Sequence, residues 1–261
     1  MRLLVIGNSH AACLIEAWRG ADGAHGATEV DFFARAGTAL GEFAIEGRRL
    51  YAPTAEGRAF QAQLGQKAEF DLAGYDAILV VGHELSGFRL VRILNRNHVL
   101  GWPYRNRLDI PVITEPCLRD ALDDSLEDIT ATRLLRQIAP ALSADRQRLI
   151  ALPQPYPSQI ILQGKAKSVG FVRLCRAQVG AQCRALFETV AQAHLAGIGA
   201  AFLPQPDETV VEGLLTGQDY TLGARRLSDL SQTQPPQDEL HANARYGALI
   251  WAQVLAELGA A

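Results

Sequence analysis

The stretch Arg2-Leu-Leu-Val-Ile-Gly-Asn-Ser-His decides the fold of this chain. Four apolar residues at positions 3–6 are followed at once by a turn, and then by a helical pattern over residues 11–19. A short apolar run without polar alternation is typical of a strand buried inside a parallel sheet. A strand, a tight turn that carries Ser9, and a helix together indicate the first βα unit of an α/β protein.

The same alternation continues along the rest of the chain. Further apolar runs predict strands at residues 30–34, 77–81, 111–114, 149–152 and 198–203, and helical patterns occupy residues 129–139, 179–195 and 241–258. We therefore predict a mostly parallel central sheet of about five strands with helices on both of its faces. The length of 261 residues fits a single domain, 1–261.

Composition argues against several classes of function. The formal net charge is −3 and no basic stripe is visible, so we expect no nucleic-acid partner. No run approaches the ~20 apolar residues of a membrane span, and residues 3–6 are too short for a secretory leader, so we expect a cytoplasmic protein without a membrane partner. The four cysteines lack metal or redox spacing, and we expect neither a metal nor a cofactor.

Ser9 occupies a position where chemistry is common in α/β proteins. Ligands of open parallel sheets bind at the carboxyl ends of the strands. A hydroxyl at the start of the following helix lies near backbone N–H groups that favour negative charge, which suits a nucleophile that passes through an oxyanion. Taken alone, however, a serine here is more simply explained as a helix cap.

The sequence Asp238-Glu-Leu-His241 follows a proline-rich loop and is predicted to open the last helix. Residues three apart share one face of a helix, so Asp238 would accept a hydrogen bond from Nδ1–H of His241. Nε2 of the same ring would then be free to take a proton from a serine hydroxyl. Taken alone, the motif fits equally well an N-cap aspartate beside an exposed histidine.

Together the two motifs resemble the first and last sequence blocks of the SGNH/GDSL hydrolases. The resemblance begins at Val5-Ile-Gly-Asn-Ser-His and closes at Asp238-Glu-Leu-His-Ala-Asn-Ala-Arg-Tyr-Gly. It implies a three-layer α/β/α fold of the flavodoxin-like kind. It also implies a catalytic triad in which Ser9 is the nucleophile, His241 the base and Asp238 the group that orients the base. Asn8 stands where the family more often has aspartate.

The middle blocks of the family match less closely. The resemblance implies an oxyanion hole built from the backbone N–H groups of Ser9 and Gly37, with a side-chain donor after the third strand. That donor is normally asparagine, but here Glu84 falls at its position, and an ionised carboxylate cannot donate a hydrogen bond. His83 would then donate while Glu84 turns away or pairs with an arginine. Otherwise Glu84 is protonated, or the hole has only backbone donors. We favour His83.

Two further features lie near these motifs. His10 adjoins Ser9, and on a following helix it is predicted to point away from the serine. The segment 86–109 is irregular and rich in arginine, and it follows the third strand toward the same rim of the sheet. Its arginines, with Trp102 and Tyr104, would hold an anionic or sugar-like substrate; the competing interpretation is a solvated helix and a surface loop.

The resemblance implies a serine esterase that hydrolyses O-acyl or O-acetyl esters through an acyl-Ser9 intermediate. By analogy with the family, its partner is a small-molecule ester, with an acylated sugar or another polar compound as the expected substrate. An O-acyltransferase would use the same triad. A non-catalytic domain that binds a glycan or a partner stays open because of Glu84, whereas a nucleotide-binding domain is disfavoured because no G-x-G-x-x-G follows the first strand.

Overall fold

A parallel sheet lies at the centre of the computed structural model, which describes residues 1–21, 27–35, 43–104, 109–143, 145–163 and 168–259. Within these ranges the sheet has five strands, all parallel: β1 (Arg2–Gly7), β2 (Glu29–Ala34), β3 (Ala77–Val81), β4 (Arg148–Leu152) and β5 (Ala201–Phe202). Their spatial order is 2-1-3-4-5, the doubly wound order of flavodoxin-like sheets. The predicted α/β class with about five mostly parallel strands is confirmed.

Eight α-helices are found in the described ranges. They are α1 (Ala12–Gly20), α2 (Ala55–Gln63), α3 (Phe88–Leu94), α4 (Glu115–Glu127), α5 (Thr130–Ile138), α6 (Val169–Arg176), α7 (Gly180–Ala196) and α8 (Ala244–Glu257). Single 3₁₀ turns add Ser9–Ala11, Leu72–Gly74, Ala139–Ala141, Gln159–Gln163, Asp207–Thr209 and Gln218–Tyr220.

The sheet is covered on both faces, as its sequence pattern requires. Side chains of a strand point alternately to opposite faces, and over residues 3–6 of β1 both sets are apolar and fully buried. Leu3 and Val5 belong to a core shared with α1 and α8, whereas Leu4 and Ile6 belong to a core shared with α3, α4, α5, α6 and α7. The chain therefore forms two hydrophobic layers around one sheet, an arrangement compatible with three-layer α/β/α architecture.

Besides the central sheet, the described residues form four smaller sheets. An antiparallel three-stranded sheet comprises Ala44–Glu46, Arg49–Tyr51 and Glu69–Asp71. Two-stranded sheets pair His98–Val99 with Val112–Ile113, Val210–Val211 with Leu215–Thr216, and Arg225–Arg226 with Asp229–Thr233.

Three sequence predictions are corrected by this topology. The run 111–114 is not a central strand: among the described residues Val112–Ile113 pairs with His98–Val99 alone, and Val112 is 62% exposed. The strand predicted at 198–203 shortens to β5, because Gly199 sits in a left-handed turn (φ +84°) before it. The last helix begins at Ala244 and not at residue 241, since Asn243 caps it by accepting hydrogen bonds from the backbone N–H groups of the first turn.

Helices α1 and α8 pack unusually closely. A Cβ atom added to Gly247 in α8 would lie 2.2 Å from the carbonyl oxygen of Cys13 in α1. Trp251, almost completely buried, donates a hydrogen bond from Nε1 to the carbonyl oxygen of Leu14 (2.9 Å). This contact fixes α8, and the loop that precedes it, against the helix that follows β1.

Strand β1 lies between β2 and β3, so the chain connections diverge at the β1–β3 boundary. Such a switch point at the carboxyl ends of the strands is where open α/β sheets bind ligands. Ser9 follows β1 by two residues, and His83 follows β3 by two residues. The topology thus brings the loops that carry these two side chains to the same part of the rim.

No helix in the described ranges has both the length and the apolar character that crossing a membrane requires.

Candidate active site

The turn after β1 presents the Ser9 hydroxyl without using it for capping. Asn8 is the N-cap of the 3₁₀ turn Ser9–Ala11, and its Oδ1 accepts a hydrogen bond from the backbone N–H of His10 (3.1 Å). A glycine precedes it because a Cβ at Gly7 would lie 2.7 Å from Cβ of Ala11. The capping interpretation of Ser9 is therefore wrong, and Asn8 supplies the local hydrogen bond.

Asp238 organises the loop that leads into α8. Its Oδ2 accepts hydrogen bonds from the backbone N–H groups of Leu240 (3.1 Å) and His241 (2.7 Å). This aspartate-capped turn is not helical, which corrects the prediction that the motif opens the last helix. The spacing of three residues still brings the two side chains together, because the turn folds His241 back over the carboxylate.

Ser9, His241 and Asp238 form a continuous hydrogen-bonded chain. Nε2 of His241 lies 3.1 Å from Oγ of Ser9, and Nδ1 lies 3.1 Å from both carboxylate oxygens of Asp238. An aspartate that accepts Nδ1–H fixes the tautomer in which Nε2 accepts a proton. The histidine and aspartate side chains are 17% and 18% exposed, so the chain is shielded but reachable.

The carboxyl group of Asp238 is held in its charged form. Partial burial by itself raises the pKa of this group, but the hydrogen bond and charge of His241, together with the two backbone N–H groups, outweigh burial. The net pKa of Asp238 therefore lies below its ordinary value, and the group is a carboxylate throughout the neutral range. A fixed negative charge on this side of the ring stabilises the imidazolium that forms when His241 takes a proton.

His10 packs against His241. Its ring stacks on that of His241, with centroids 5.3 Å apart and planes 25° apart. It is buried, and within the described part of the chain its Nδ1 has no hydrogen-bond partner. Burial, reinforced by the neighbouring His241, lowers the pKa of His10 to about 3, so this ring stays neutral. The direction of the His10 ring relative to the Ser9 hydroxyl stays a prediction.

Glu84, at the position where the family has asparagine, accepts hydrogen bonds from three groups. Arg89 Nη2 donates to Oε1 (2.5 Å), while the backbone N–H and the hydroxyl of Thr130 donate to Oε2 (3.2 Å and 2.9 Å). This agrees with the interpretation in which Glu84 pairs with an arginine. His83 and Glu84 both have left-handed backbones (φ 46° and 70°), a conformation that is costly for side-chain-bearing residues. The contacts of Glu84 offset that cost.

His83 is fully buried directly after β3. Its ring meets the edge of Phe43 (5.5 Å between centroids), and neither ring nitrogen has a hydrogen-bond partner among the described residues. Burial lowers the pKa of His83 to about 4, although Glu84 acts in the opposite direction. No hydrogen bond between His83 and Ser9 is found in the described part, so a donor role toward an oxyanion stays a prediction.

The other predicted site residues lie outside the described residues or in the hydrophobic core. Gly37 lies outside the described residues, as do Arg105 and Arg107 of the arginine-rich segment. Trp102 and Tyr104 are buried, and Trp102 Nε1 donates to a carboxylate oxygen of Glu115 (3.3 Å). These two aromatic side chains belong to the core, which corrects the expectation that they hold a substrate.

The buried histidines predict a loss of stability in mild acid. In the unfolded chain His10 and His83 gain protons below about pH 6.5, whereas in the fold they do so only near pH 3 and pH 4. The unfolded state therefore binds more protons between these limits. We expect the free energy of unfolding to fall by about 1.4 kcal/mol per pH unit for each histidine as the pH drops from about 6 to 5.

Urea unfolding at several pH values measures this slope. The variant His10→Phe removes one titrating ring and is expected to lose about half of it. Between pH 5 and 6 most carboxylates remain ionised, so they add little to the comparison. An unchanged slope in His10→Phe would show that this ring does not remain neutral in the fold.

Sequence reasoning missed two supporting residues. The stacking of His10 has no local signal, since it depends on how α8 docks. Asn243 did have a local signal in the sequence, because an asparagine directly before the helical pattern Ala244-Arg-Tyr is a typical N-cap. Its Nδ2 also donates to the carbonyl oxygens of Asp219 (2.9 Å) and Leu222 (2.8 Å), which ties the loop to the 3₁₀ turn Gln218–Tyr220.

The arrangement has the chemistry of a nucleophile, a base and an orienting acid. No protein-family model matches the chain, and no curated protein shows significant similarity to it. The candidate site is therefore defined by geometry: a serine hydroxyl, an imidazole and a carboxylate in hydrogen-bonded sequence at the switch point of a parallel sheet.

Proposed function

We propose that this protein is a serine hydrolase of the SGNH type that cleaves ester bonds through an acyl-Ser9 intermediate. The observation that carries the proposal is the hydrogen-bonded chain from Asp238 through His241 to Ser9. The serine and the histidine are separated by 232 positions in the sequence, so no local constraint forces them together. A hydroxyl that faces the acceptor nitrogen of a carboxylate-held imidazole is the arrangement that activates a serine.

The reaction divides into two steps. Oγ of Ser9 attacks the ester carbonyl carbon while its proton passes to Nε2 of His241. The resulting imidazolium, stabilised by Asp238, returns that proton to the departing alkoxide, and the acyl group remains on Ser9. Water then gives up a proton to Nε2 and attacks the acyl carbon. As the second tetrahedral intermediate collapses, the bond to Oγ breaks, the imidazolium returns the proton to Oγ, and the acid leaves.

The oxyanion of both intermediates needs donors near Ser9. We assign the backbone N–H of Ser9 and of Gly37 to this role, with His83 as the side-chain donor in place of asparagine. Their positions after β1, β2 and β3 correspond to the first three blocks of the family. Because Glu84 is engaged by Arg89 and Thr130, its charge is partly neutralised. This weakens the argument that the glutamate marks a non-catalytic domain.

An alkyl fluorophosphonate that reacts with activated serines tests the proposal directly. Ser9 Oγ would displace fluoride, and mass spectrometry should find one phosphonyl adduct on the peptide that contains Ser9. The variant Ser228→Ala, which changes an exposed serine remote in sequence, serves as the control and should be labelled like the wild type.

Rates of hydrolysis of 4-nitrophenyl acetate, butyrate and octanoate then describe the acyl pocket. By family analogy, we expect a preference for the short chains. A folded wild-type protein that neither takes up the fluorophosphonate at Ser9 nor hydrolyses any of these esters would contradict the proposal.

A further inference from the structure

A cleft of about 1000 Å³ opens beside the loop that carries Asp238. Helix α3 and the turn after it line one side, the first turns of α6 line another, and residues 237–240 also line it. Asp238 is the member of the triad that lines this cleft. One loop therefore contributes both to the cleft and to the orientation of the catalytic base.

The positive charge of the wall formed by α3 and the turn after it is only partly neutralised within the described residues. Arg89 is paired with Glu84, but Arg92 and Arg96 are exposed and have no hydrogen-bond or ion-pair partner among the described residues. Arg89 and Arg92, three residues apart, share one face of α3, and Arg96 lies in the turn after the helix ends at Leu94.

The three carboxylates that line the cleft accept hydrogen bonds from groups other than Arg92 and Arg96. Glu84 accepts from Arg89 and Thr130, and Asp238 accepts from His241. Glu239 accepts from the backbone N–H (3.1 Å) and the hydroxyl (2.9 Å) of Ser168. The two guanidinium groups on the α3 wall are therefore available to an anion from outside.

Apolar surface lies next to these charges. Phe88 packs against Phe171, with ring centroids 4.6 Å apart, and both line the cleft. Val169 and Leu240, which also line it, are 51% and 38% exposed. A ligand that fits this surface combines an anionic group with a short apolar part.

We infer that this cleft selects esters that carry a carboxylate or a phosphate, which Arg92 and Arg96 bind. Guanidinium groups bind both anions in bidentate fashion, more strongly than they bind neutral acceptors. The apolar part of the substrate would pack on Phe88, Val169 and Leu240. The inference rests on the proposed function, because it names the substrate class of the same site.

Two pairs of esters, in each of which one member carries an added carboxylate, test the inference. Mono-4-nitrophenyl glutarate is compared with 4-nitrophenyl pentanoate for a charge on the acyl side, and 4-acetoxybenzoate with phenyl acetate for a charge on the alcohol side. For at least one of the two pairs, the wild type should show a higher kcat/KM for the anionic ester than for the neutral one. Each value is first corrected for the rate of hydrolysis of that ester without enzyme. The preference should shrink at high salt, because salt screens exposed charges.

The double variant Arg92→Gln/Arg96→Gln should lower this ratio of kcat/KM values by about tenfold, since each charge-assisted contact at an exposed site is modest. Arg146→Gln, which changes an arginine whose side chain is 83% exposed, is the control and should keep the wild-type ratio. If both pairs of esters are hydrolysed with ratios that the double variant leaves unchanged, the inference is overturned while the esterase activity stands.

A binding measurement that needs no ester hydrolysis separates the anion-binding inference from the proposed esterase function. The wild type and both arginine variants are titrated with phenyl phosphate, and the rise in melting temperature is recorded. The double variant should need about tenfold more phenyl phosphate for the same rise. If no ester is hydrolysed, this titration still decides whether the cleft binds anions. Equal responses of all three proteins would then overturn the inference separately.

Discussion

Replacing Ser9 with alanine is expected to reduce kcat for 4-nitrophenyl acetate by about 10³-fold or more, while the protein remains folded. Oγ of Ser9 forms the bond to the acyl group, so a variant without this atom cannot form the acyl intermediate. The fold should tolerate the change because Asn8 caps the turn, and the only side-chain hydrogen bond that we find for Oγ of Ser9 in the described part joins it to His241.

The measurement is steady-state hydrolysis beside thermal unfolding of the same preparations. Asp238→Asn is the informative companion, because an amide cannot hold the imidazole in the same tautomer, and kcat should fall by about 10³–10⁴-fold. Combining Ser9→Ala with Asp238→Asn should add little to either loss, since the residues act as a unit. A Ser9→Ala protein that keeps a tenth of the wild-type rate would contradict the assignment of Ser9 as nucleophile.

Replacing Gly247 with alanine is expected to lower the free energy of unfolding by about 3 kcal/mol. The added Cβ would lie 2.2 Å from the carbonyl oxygen of Cys13 and 3.0 Å from Cβ of Ala17. Backbone atoms cannot rotate away, so α8 must move off α1 or tilt. The ~1 kcal/mol by which alanine favours a helix over glycine does not offset this clash.

Gly20→Ala provides the matched control. Gly20 is also a helical glycine, at the end of α1, but a Cβ added there has no neighbouring atom within 4 Å. We expect a change between zero and a gain of about 1 kcal/mol. Urea unfolding of both variants measures the difference. Equal stabilities would show that α1 and α8 are less closely packed than the structure has them.

The bounds of four central strands were predicted to within one residue. Apolar residues on both faces mark β1, β3 and β4, because each is covered on two sides, and the run 30–34 marks β2 although that strand is only partly buried. The run 111–114 was also apolar, yet Val112 is exposed. A few apolar residues cannot by themselves show whether a strand joins the central sheet or a peripheral pair, since that depends on the path of the chain.

Prediction of the candidate site had a similar limit. The contact between Asp238 and His241 follows from their spacing, although a turn produces it and not the expected helix. The engagement of Glu84 could not be predicted, because Thr130 lies 46 positions away and the left-handed backbone at residues 83 and 84 is set by tertiary contacts. The stacking of His10 on His241 likewise requires α8 to be in place.

The docking of α8 against α1 also has a consequence during protein synthesis. A ribosome adds His241 long after Ser9, so a growing polypeptide exposes the nucleophile well before the base exists. Until α8 docks, the serine hydroxyl has no general base within reach. Ester cleavage would therefore begin only when translation has passed α8 and this late, long-range contact has formed. Under the proposed function, chains that end before α8 are therefore expected to be inactive.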